Sequence, residues 1–474
     1  MTLADFKKNI QNAARDGSLQ AGVIGDGVMI PGLNGDVPLV YADYVASGRA
    51  LRQVEEFVTS QVLPFYANSH TEASYCGSYV TRMRRQARAE IARVTGAMQD
   101  DAVIFAGSGA TAGLNRLVSL LGIEDADQPV VFIGPYEHHS NILPWRESKA
   151  KVVEIPEADG GGVDMAALHQ ALTDHAHSDL KIGSFSAASN VTGILTDPDP
   201  ISRLLHAHDA FAIWDYAGGA PYLPIDMGGN GAARKDAVVV SPHKFPGGPG
   251  SSGVLIVNSQ IVRRKCPSWP GGGTVSFVSP WQHDYSDDLA AREEAGTPNV
   301  IGDIRAALVF LVKEAVGEAE IAAKEARFTE MARAGWAKNP HLALLGHATA
   351  DRLPIFSFLV TGRSGAPIHQ QLFTRMLSDI YGIQARGGCA CAGPYAHRLL
   401  GIDQETSQQL FADLEAGEEM SKPGWVRLNF SYLMSDKTAQ YIIDSVNELS
   451  RTAETLAAQY AVDESTARFK ARAA

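Results

Sequence analysis

Four polar residues follow apolar runs in the middle of the chain, at points where predicted strands end. Asp215 closes the run FAIWD, and Ser241, His243 and Lys244 follow the run AVVV. A lysine beside a buried strand can have a lowered pKa, and its neutral amine can then form a Schiff base with an aldehyde. A carboxylate at a neighbouring strand end can hold a proton on a ring nitrogen. Taken alone, each residue has an alternative: a solvated lysine, or an aspartate that caps a turn.

A further junction of this kind lies in AVIFAGSGATAGLN, where an apolar run leads through glycines directly into a helical pattern. Small residues let backbone N–H groups approach an anion, and the first turn of a helix has unpaired N–H groups and a favourable dipole. Ala110 and Thr111 therefore stand where a phosphate cup would form. The segment matches neither GxGxxG nor GxxxxGK[ST], so an ordinary strand-to-helix turn is the alternative.

Positioning these junctions requires a sheet that brings strand ends together. Continuous apolar runs alternate with helical patterns, and the runs cover residues 102–107, 129–134, 180–189, 211–217, 237–245 and 253–259. Such runs predict a mostly parallel sheet that is covered by helices on both faces. Ligands of such α/β folds bind at the carboxyl ends of the strands, which is where the polar residues lie.

A chain of 474 residues favours two domains over a single core. We expect an N-terminal segment (1–40), a large domain (41–305) and a small C-terminal domain (306–474) on which the N-terminal segment could pack. Within this plan, residues 270–300 have a loop-like composition and residues 302–336 favour one long helix. The last residues, from Val462, are predicted to form a frayed helical tail.

Composition excludes several classes of partner. The net charge of −12 disfavours nucleic acid and anionic membranes, and no apolar run approaches the ~20 residues that cross a bilayer. The start, MTLADFKKNIQNAARDG, is a poor secretory signal. Four cysteines in this length do not form a disulfide framework, so a reducing, cytoplasmic setting is expected.

Seven segments in order, between about Tyr41 and Tyr432, resemble the successive signatures of class V aminotransferase-fold enzymes, namely GSGATAGLN, EHHSNILPW, SNVTGIL, DYAGGAP, SPHKFPGGPG, EAGTPN and RGGCACAGP. The nearest resemblance is to the branch of cysteine desulfurases and selenocysteine lyases. It implies pyridoxal 5′-phosphate (PLP) as the cofactor, bound in fold type I of the PLP-dependent transferases. That fold is α/β, with a large domain built on a mostly parallel mixed sheet and a smaller C-terminal α/β domain.

The resemblance also implies a role for individual residues. Lys244 matches the lysine that binds the cofactor aldehyde, and Asp215 matches the partner of the ring nitrogen. The remaining matches are phosphate contacts at Ala110, Thr111, Ser241 and His243, a ring-stacking residue at His138, a partner of the ring oxygen at Asn190, a phosphate contact from the neighbouring subunit of a homodimer at Thr297, and substrate binding at Arg427 and Arg386. A satisfied histidine near a helix start is the alternative for His138.

Two positions depart from the branch. Desulfurases usually have Asp-x-Ala-Gln, whereas Gly218 stands at the glutamine position. Many of them also have Arg-x-Gly-His-His-Cys, whereas this chain has Arg386-Gly-Gly-Cys389-Ala-Cys391. The five-residue step from Arg386 puts Cys391 at the catalytic position and Cys389 at a histidine position.

Cys391 decides the functional interpretation, because a desulfurase needs a thiolate that accepts sulfur as a persulfide. Its glycine-flanked loop could reach a substrate, and Arg386 would favour the thiolate. The alternatives are a buried structural cysteine, half of a metal pair, or a redox pair with Cys389. Cys-x-Cys without further ligands is a poor zinc site, so no metal is predicted. A disulfide between Cys389 and Cys391 would be strained, which disfavours the redox pair.

Three functions follow, from different classes. The first is a PLP-dependent cysteine desulfurase or selenocysteine lyase, which acts on a small amino acid and passes S or Se to an acceptor, with a sulfur-acceptor protein as a further partner. The second is another PLP reaction, such as transamination, racemisation or β-elimination, with the cysteines as bystanders; Gly218 favours it. The third is a cofactor-binding protein without turnover, which the Lys244 and Asp215 pair disfavours.

Overall fold

The computed structural model describes residues 2–69 and 72–472, and it divides into two compact units. The first unit contains residues up to Ile24, residues Ser47–Ala188 and residues Thr196–Glu320. The second contains Gly25–Ala46, Ser189–Leu195 and the residues from Ile321 onward. Both units are therefore built from segments that are distant in the sequence.

The strands are two to seven residues long. In chain order they are β1 (Met29–Gly32), β2 (Gly35–Pro38), β3 (Val40–Tyr41), β4 (Asp101–Gly107), β5 (Pro129–Ile133), β6 (Lys151–Glu154), β7 (Leu180–Ser186), β8 (Ala210–Asp215), β9 (Ala237–Val240), β10 (Gly253–Asn258), β11 (Val275–Val278), β12 (His283–Tyr285), β13 (Leu342–Leu344), β14 (Ile355–Thr361), β15 (Pro367–Ile368), β16 (Ile383–Gln384), β17 (Arg386–Gly388), β18 (Trp425–Asn429), β19 (Tyr460–Asp463) and β20 (Arg468–Ala471).

The α-helices connect and cover these strands. In chain order they are α1 (Leu3–Arg15), α2 (Ser18–Ala21), α3 (Arg52–Phe57), α4 (Tyr75–Val94), α5 (Gly109–Leu120), α6 (Leu143–Arg146), α7 (Met165–Asp174), α8 (Pro198–Ala207), α9 (Leu289–Glu293), α10 (Val300–Val316), α11 (Glu318–Trp336), α12 (Gln370–Tyr381), α13 (Gly393–Leu400), α14 (Gln404–Glu415) and α15 (Asp436–Leu456). No helix in the described ranges is long and apolar enough to span a bilayer.

The first unit is built on a seven-stranded sheet with the order β4-β10-β9-β8-β7-β5-β6. Strand β10 is antiparallel to both of its neighbours, and all the other strands run in one direction. Every residue of β5, β9 and β10 is buried, which explains why these runs are continuously apolar. The predicted fold class, a mostly parallel mixed sheet in an α/β fold, is confirmed.

The second unit has an antiparallel sheet with the order β13-β14-β18-β17, and β15 pairs with β14. Its core is aromatic: the ring of Trp336 packs against Phe356 and Phe358, at centroid distances of 5.3 and 5.8 Å. Helix α12 adds Phe373 and Met376 to the same core. The sheet thus packs against a hydrophobic core, which stabilises the register of its strands.

Three local predictions were wrong. The stretch 302–336 forms two helices, because Gly317 between α10 and α11 has φ +89°. The segment 270–300 contains the hairpin of β11 and β12. The end of the chain forms the hairpin of β19 and β20, where Ala467 has φ +49°, instead of a helical tail.

The compact units also differ from the continuous ranges expected from the sequence. Helix α10 belongs to the first unit, where it packs against α1 and α4. It is buried on nearly all sides from Val300 to Lys313, as its largely apolar run from Ala306 to Val312 predicts. Residues 25–46 belong instead to the second unit, in which β3 pairs with β16.

Candidate active site

In the first unit, the sheet brings Asp215 and the segment that carries Lys244 to the same edge. Strands β8 and β9 are parallel neighbours, with Asp215 paired to Val239. The chain leaves β9 at Val240 and continues through Ser241 into a short turn at Pro242–Lys244. The carboxyl ends of β4 and β5 lie at this edge too, because these strands run in the same direction.

The turn after β4 forms a cup of backbone N–H groups. Gly107 and Gly109 adopt φ of +84° and +61°, so the chain reverses sharply and α5 begins at Gly109. The side chain of Ser108 does not cap this helix; instead the N–H of Ala110 donates to Oγ of Ser241, at 2.9 Å. A Cβ on Gly109 would lie 3.0 Å from Ser241 Oγ and 3.8 Å from the ring of His243. Ser241 and His243 therefore line the cup.

A chain of hydroxyl groups joins this cup to His138, which follows β5. Thr111 Oγ1 lies 2.7 Å from Ser140 Oγ, and that oxygen lies 3.1 Å from His138 Nδ1. The N–H of Ser140 also donates to His138 Nδ1, at 3.1 Å. The orientation of the imidazole is thus fixed by Ser140, two residues further along the same turn. Ser140 was not among the predicted site residues, although it is the serine of the EHHSN segment.

Burial controls the charges in this part of the site. Asp215 is 4% exposed, and its Oδ1 accepts from the N–H of Ala217 at 2.7 Å. Burial raises the pKa of Asp215, while the N–H of Ala217 and the charge of Lys244 act in the opposite direction. Burial and the neighbouring Lys244 lower the pKa of His243 to about 4, so its ring is neutral at neutral pH.

Glu137 is a second buried carboxylate that the sequence interpretation missed. It accepts from the N–H of Ser186 at 2.9 Å, from the hydroxyl of Ser186 at 2.6 Å and from Nδ2 of Asn141 at 2.5 Å. Burial raises its pKa to about 7, against these three donors, and the charge of Asp215 adds to the increase. Ser186 is paired with Asp215 across β7 and β8, so Glu137 links His138 to the strand that ends at Asp215.

In the second unit, two arginines and one aspartate form a charged cluster. Arg386 and Arg427 are directly opposite one another on the antiparallel strands β17 and β18. Asp43 accepts from both: Oδ1 from Arg427 Nη2 at 2.7 Å, and Oδ2 from Arg386 Nε at 3.0 Å. Arg427 is 3% exposed, and burial lowers its pKa while Asp43 opposes the change. Asp43 was missed because nothing in VYADYVASG distinguishes it from a turn aspartate.

The same cluster extends to the loop that carries the cysteines. Arg427 Nη1 donates to the carbonyl oxygen of Asn190 at 3.0 Å, and Asn190 Nδ2 donates to the carbonyl oxygen of Ala390 at 2.7 Å. Cys391 is exposed and Cys389 is half-buried. Ala390 and Cys391 both have positive φ, of 53° and 56°, which side chains rarely adopt.

Thr297 belongs to the first unit. It is exposed on the loop between α9 and α10, and no hydrogen bond joins it to the cup in the part of the chain that the structure describes. The start of this loop is anchored by Glu294, whose Oε1 accepts from the N–H of Phe105 at 2.7 Å and from Arg88 at 2.9 Å. Within residues 2–69 and 72–472, no group of three or more His, Cys, Asp or Glu side chains could hold a metal ion.

The sequence profile of the family described as aminotransferase class-V matches residues 40–408, most of the chain. The chain belongs to the class-V aminotransferase family.

Relatives of this class-V chain have named activities. A protein from Streptomyces coelicolor with the name "probable cysteine desulfurase" is 28% identical over 383 residues, which cover 79% of this chain and 88% of that protein. A cysteine desulfurase from Dickeya dadantii is 29% identical over 368 residues, covering 76% of this chain and 85% of that protein. The apo structure of a cysteine desulfurase from Thermococcus onnurineus NA1 has the same fold, with a TM-score of 0.72 and 22% identity over 87% of this chain and 94% of that chain.

Class-V aminotransferases are PLP-dependent, and the residues of the first unit fit this cofactor. The N–H groups at the start of α5, with Ser241 and His243 beside them, are complementary to a phosphate. The buried carboxylate of Asp215 is complementary to a protonated ring nitrogen, because a buried charge needs a partner. Lys244 is half-buried at the same edge and is near enough to Asp215 to affect its pKa.

We expect Gly109→Ala to weaken PLP binding about tenfold, since left-handed backbone costs a non-glycine residue roughly 1–2 kcal/mol. The new Cβ would also press on Ser241, which holds the N–H of Ala110. Equilibrium titration of the apoprotein with PLP measures the change. Gly272→Ala is the matched control, because its Cβ would have no atom within 4 Å. Equal affinities in the two variants would contradict the assignment of the cup.

Proposed function

We propose that the protein is a PLP-dependent cysteine desulfurase, which takes sulfur from L-cysteine, or selenium from L-selenocysteine, and passes it to an acceptor. The observation that carries the proposal is the exposed Cys391 on a loop that is hydrogen-bonded, through Asn190, to the buried Arg427. A carboxylate-binding arginine next to a nucleophilic thiol suits an amino acid that donates sulfur. The desulfurase names of the relatives from Streptomyces coelicolor and Dickeya dadantii agree with this chemistry.

In this proposal the first unit holds the cofactor. Lys244 would bind its aldehyde, Asp215 would hold the proton on its ring nitrogen, and His138 would stack on its ring. When bound, PLP supplies an electron sink for the bonds at the substrate's α-carbon. The phosphate contacts would be Ala110, Thr111, Ser241 and His243. As a neutral ring, His243 would donate one hydrogen bond to a phosphate oxygen without adding charge.

The second unit supplies the substrate contacts. Arg427 would bind the carboxylate of the amino acid, and Arg386 would assist it. The cluster of these two arginines and Asp43 has a net charge of +1, from two cations and one anion, which one carboxylate neutralises. Burial makes the pairing strong, because water competes little for a guanidinium that is only 3% exposed.

Cys391 would act as the sulfur acceptor. Its thiolate attacks the sulfur of the bound substrate, the carbon–sulfur bond breaks, and the Cβ carbon takes a proton. L-cysteine and the thiol thus become L-alanine and a persulfide on Cys391, with no change in the total number of electrons. The persulfide then needs an acceptor, a sulfur-acceptor protein or a small thiol.

Gly218 supports a second candidate, a class-V aminotransferase or another PLP reaction such as racemisation or β-elimination. The glutamine that desulfurases usually have at this position would contact the ring oxygen, and glycine has no side chain to replace it.

The reaction products distinguish the two candidate functions. Incubation with L-cysteine, L-selenocysteine and an amino-acid panel gives sulfide or selenide with alanine in the first case, and keto acid, D-amino acid or pyruvate in the second.

We also propose a homodimer in a reducing, cytoplasmic setting. The exposed loop at Thr297 would place this residue against the phosphate of the partner subunit, and Cys391 needs a compartment in which it stays a thiol.

Lys244 is expected to carry the cofactor covalently. Reduction of the PLP-loaded protein with borohydride should fix the cofactor on Lys244, since its amine bonds the aldehyde. Peptide mass spectrometry locates the adduct. Lys235, which is buried in the same unit, is the internal control and should stay unmodified. An adduct on another lysine, or none in saturated protein, would make the central assignment wrong.

Cys391→Ala should abolish sulfide release from L-cysteine, a loss of at least about a hundredfold, because the attacking thiolate is gone. PLP binding should be unaffected, since no cofactor contact is removed. Cys389→Ala is the matched control on the same loop and should retain most of the activity. Loss only in Cys389→Ala would show that the assigned register is off by two residues. Full activity in both variants would favour transamination or elimination.

Sharing of sites across a dimer can be tested by mixing Thr297→Ala with the inactive Lys244→Ala chain and comparing the activity of the mixture with that of either parent. If Thr297 serves the partner's site, a mixed dimer has one site with both changes and one with neither. The intact site should restore up to about half of the wild-type activity per mixed dimer. Absence of recovery in mixtures that do exchange subunits, or a monomer by sedimentation, would rule out this arrangement.

A further inference from the structure

Asp43 bridges the two arginines of the proposed substrate site in the second unit. It lies just after β3, is 9% exposed, and is bonded to two guanidinium groups. Two cations that face each other across β17 and β18, one of them buried, would repel each other. A carboxylate that bridges them removes this repulsion, and its own burial is balanced by both partners.

The bridge also fixes how Arg427 is oriented. One terminal nitrogen, Nη2, donates to Asp43 and the other, Nη1, donates to the carbonyl oxygen of Asn190. The third nitrogen, Nε, is buried and has no hydrogen-bond partner among the described residues. A guanidinium has five N–H groups, so these two hydrogen bonds fix its orientation and leave three N–H groups, including the buried Nε–H, without a described partner. Such a guanidinium is prepared for a ligand, because an unpaired buried N–H is costly.

The bridge leaves Arg386 less able to bind a ligand of its own. Its Nε donates to Asp43 Oδ2. Nearly half of the Arg386 side chain is exposed, so solvent and ligands can reach it. Without Asp43, Arg386 would present an unpaired cation at a solvent-accessible place, where a second anionic group could bind.

We infer that Asp43 is a positioning and specificity residue: it aligns Arg427 for one carboxylate, and by pairing with Arg386 it disfavours amino acids with a second anionic group. The inference rests on the proposed role of Arg427 in substrate binding. It deepens that role, since it specifies monocarboxylate amino acids such as cysteine and alanine over dicarboxylates such as aspartate.

The test measures the dissociation constants of L-alanine and L-aspartate from the PLP-loaded protein by calorimetry. Asp43→Asn should weaken L-alanine binding about tenfold, since Arg427 loses a charged partner, and should lower the preference for L-alanine over L-aspartate by at least about tenfold. Asp43→Glu, which keeps the charge, should retain most of the preference. Asp36→Asn, an exposed aspartate of β2 in the same unit, is the matched control and should behave as wild type.

An unchanged preference in Asp43→Asn would overturn the inference. If that variant does not fold, Asp43→Ser, which is neutral and smaller, gives the same comparison. With L-cysteine as the substrate, the expected signature is a raised KM with kcat within about twofold, because a carboxylate contact serves ground state and transition state alike. A wild-type protein that binds L-alanine but releases no sulfide would contradict the desulfurase proposal and leave the Asp43 comparison fully valid.

Discussion

In the first unit, two neighbouring strands run in the same direction with Ile213 opposite Ala237 and Asp215 opposite Val239. This pairing determines where the chemistry of the unit lies, because parallel strands end at one edge of a sheet. A slip of one residue would turn Asp215 to the other face of the sheet. Strand β10 adds a second constraint: a Cβ on Gly253 would lie 2.2 Å from the carbonyl oxygen of Gly109, so the strand and the cup approach too closely for any side chain.

The low polarity at this edge has consequences for each titratable group. Burial raises the pKa values of Asp215 and Glu137 and lowers that of His243. Each shift favours the neutral form, so the edge resists holding unpaired charge. A cofactor with an anionic phosphate and a basic ring supplies partners of the right sign for the helix start and for Asp215. The cofactor and the folded site therefore complement each other electrostatically.

In the second unit, the partners of a buried charge come from the protein itself. Arg427 keeps its charge in a buried place because Asp43 and the carbonyl oxygen of Asn190 surround it. These partners come from the two short segments, 25–46 and 189–195, that join the second unit from far away in the sequence. The cluster thus ties three distant parts of the chain together. Its extension from Asn190 to Ala390 connects the guanidinium to the backbone next to Cys391.

The sequence by itself determined the α/β fold class and the strand-end positions of Asp215, Ser241 and Lys244. It could do so because a parallel sheet buried on both faces needs continuous apolar runs, and the residues after such runs are recognisable. It also indicated the cup at Ala110 and Thr111, since glycine and a helix start are local signals. The matching of Arg427 and Cys391 to functional positions depended on family resemblance and not on any local pattern.

Only the tertiary structure decided the roles of Asp43 and Ser140 as partners of the predicted residues, and the burial of Glu137 against Ser186 and Asn141. Each is bonded to its partners by a side chain whose direction depends on packing, and for Asp43 the partners are over 300 residues away. The placement of α10 in the first unit and the discontinuous units have the same origin. Helix propensity and periodicity act within a few turns, whereas burial of α10 against α1 and α4 is a property of the whole unit.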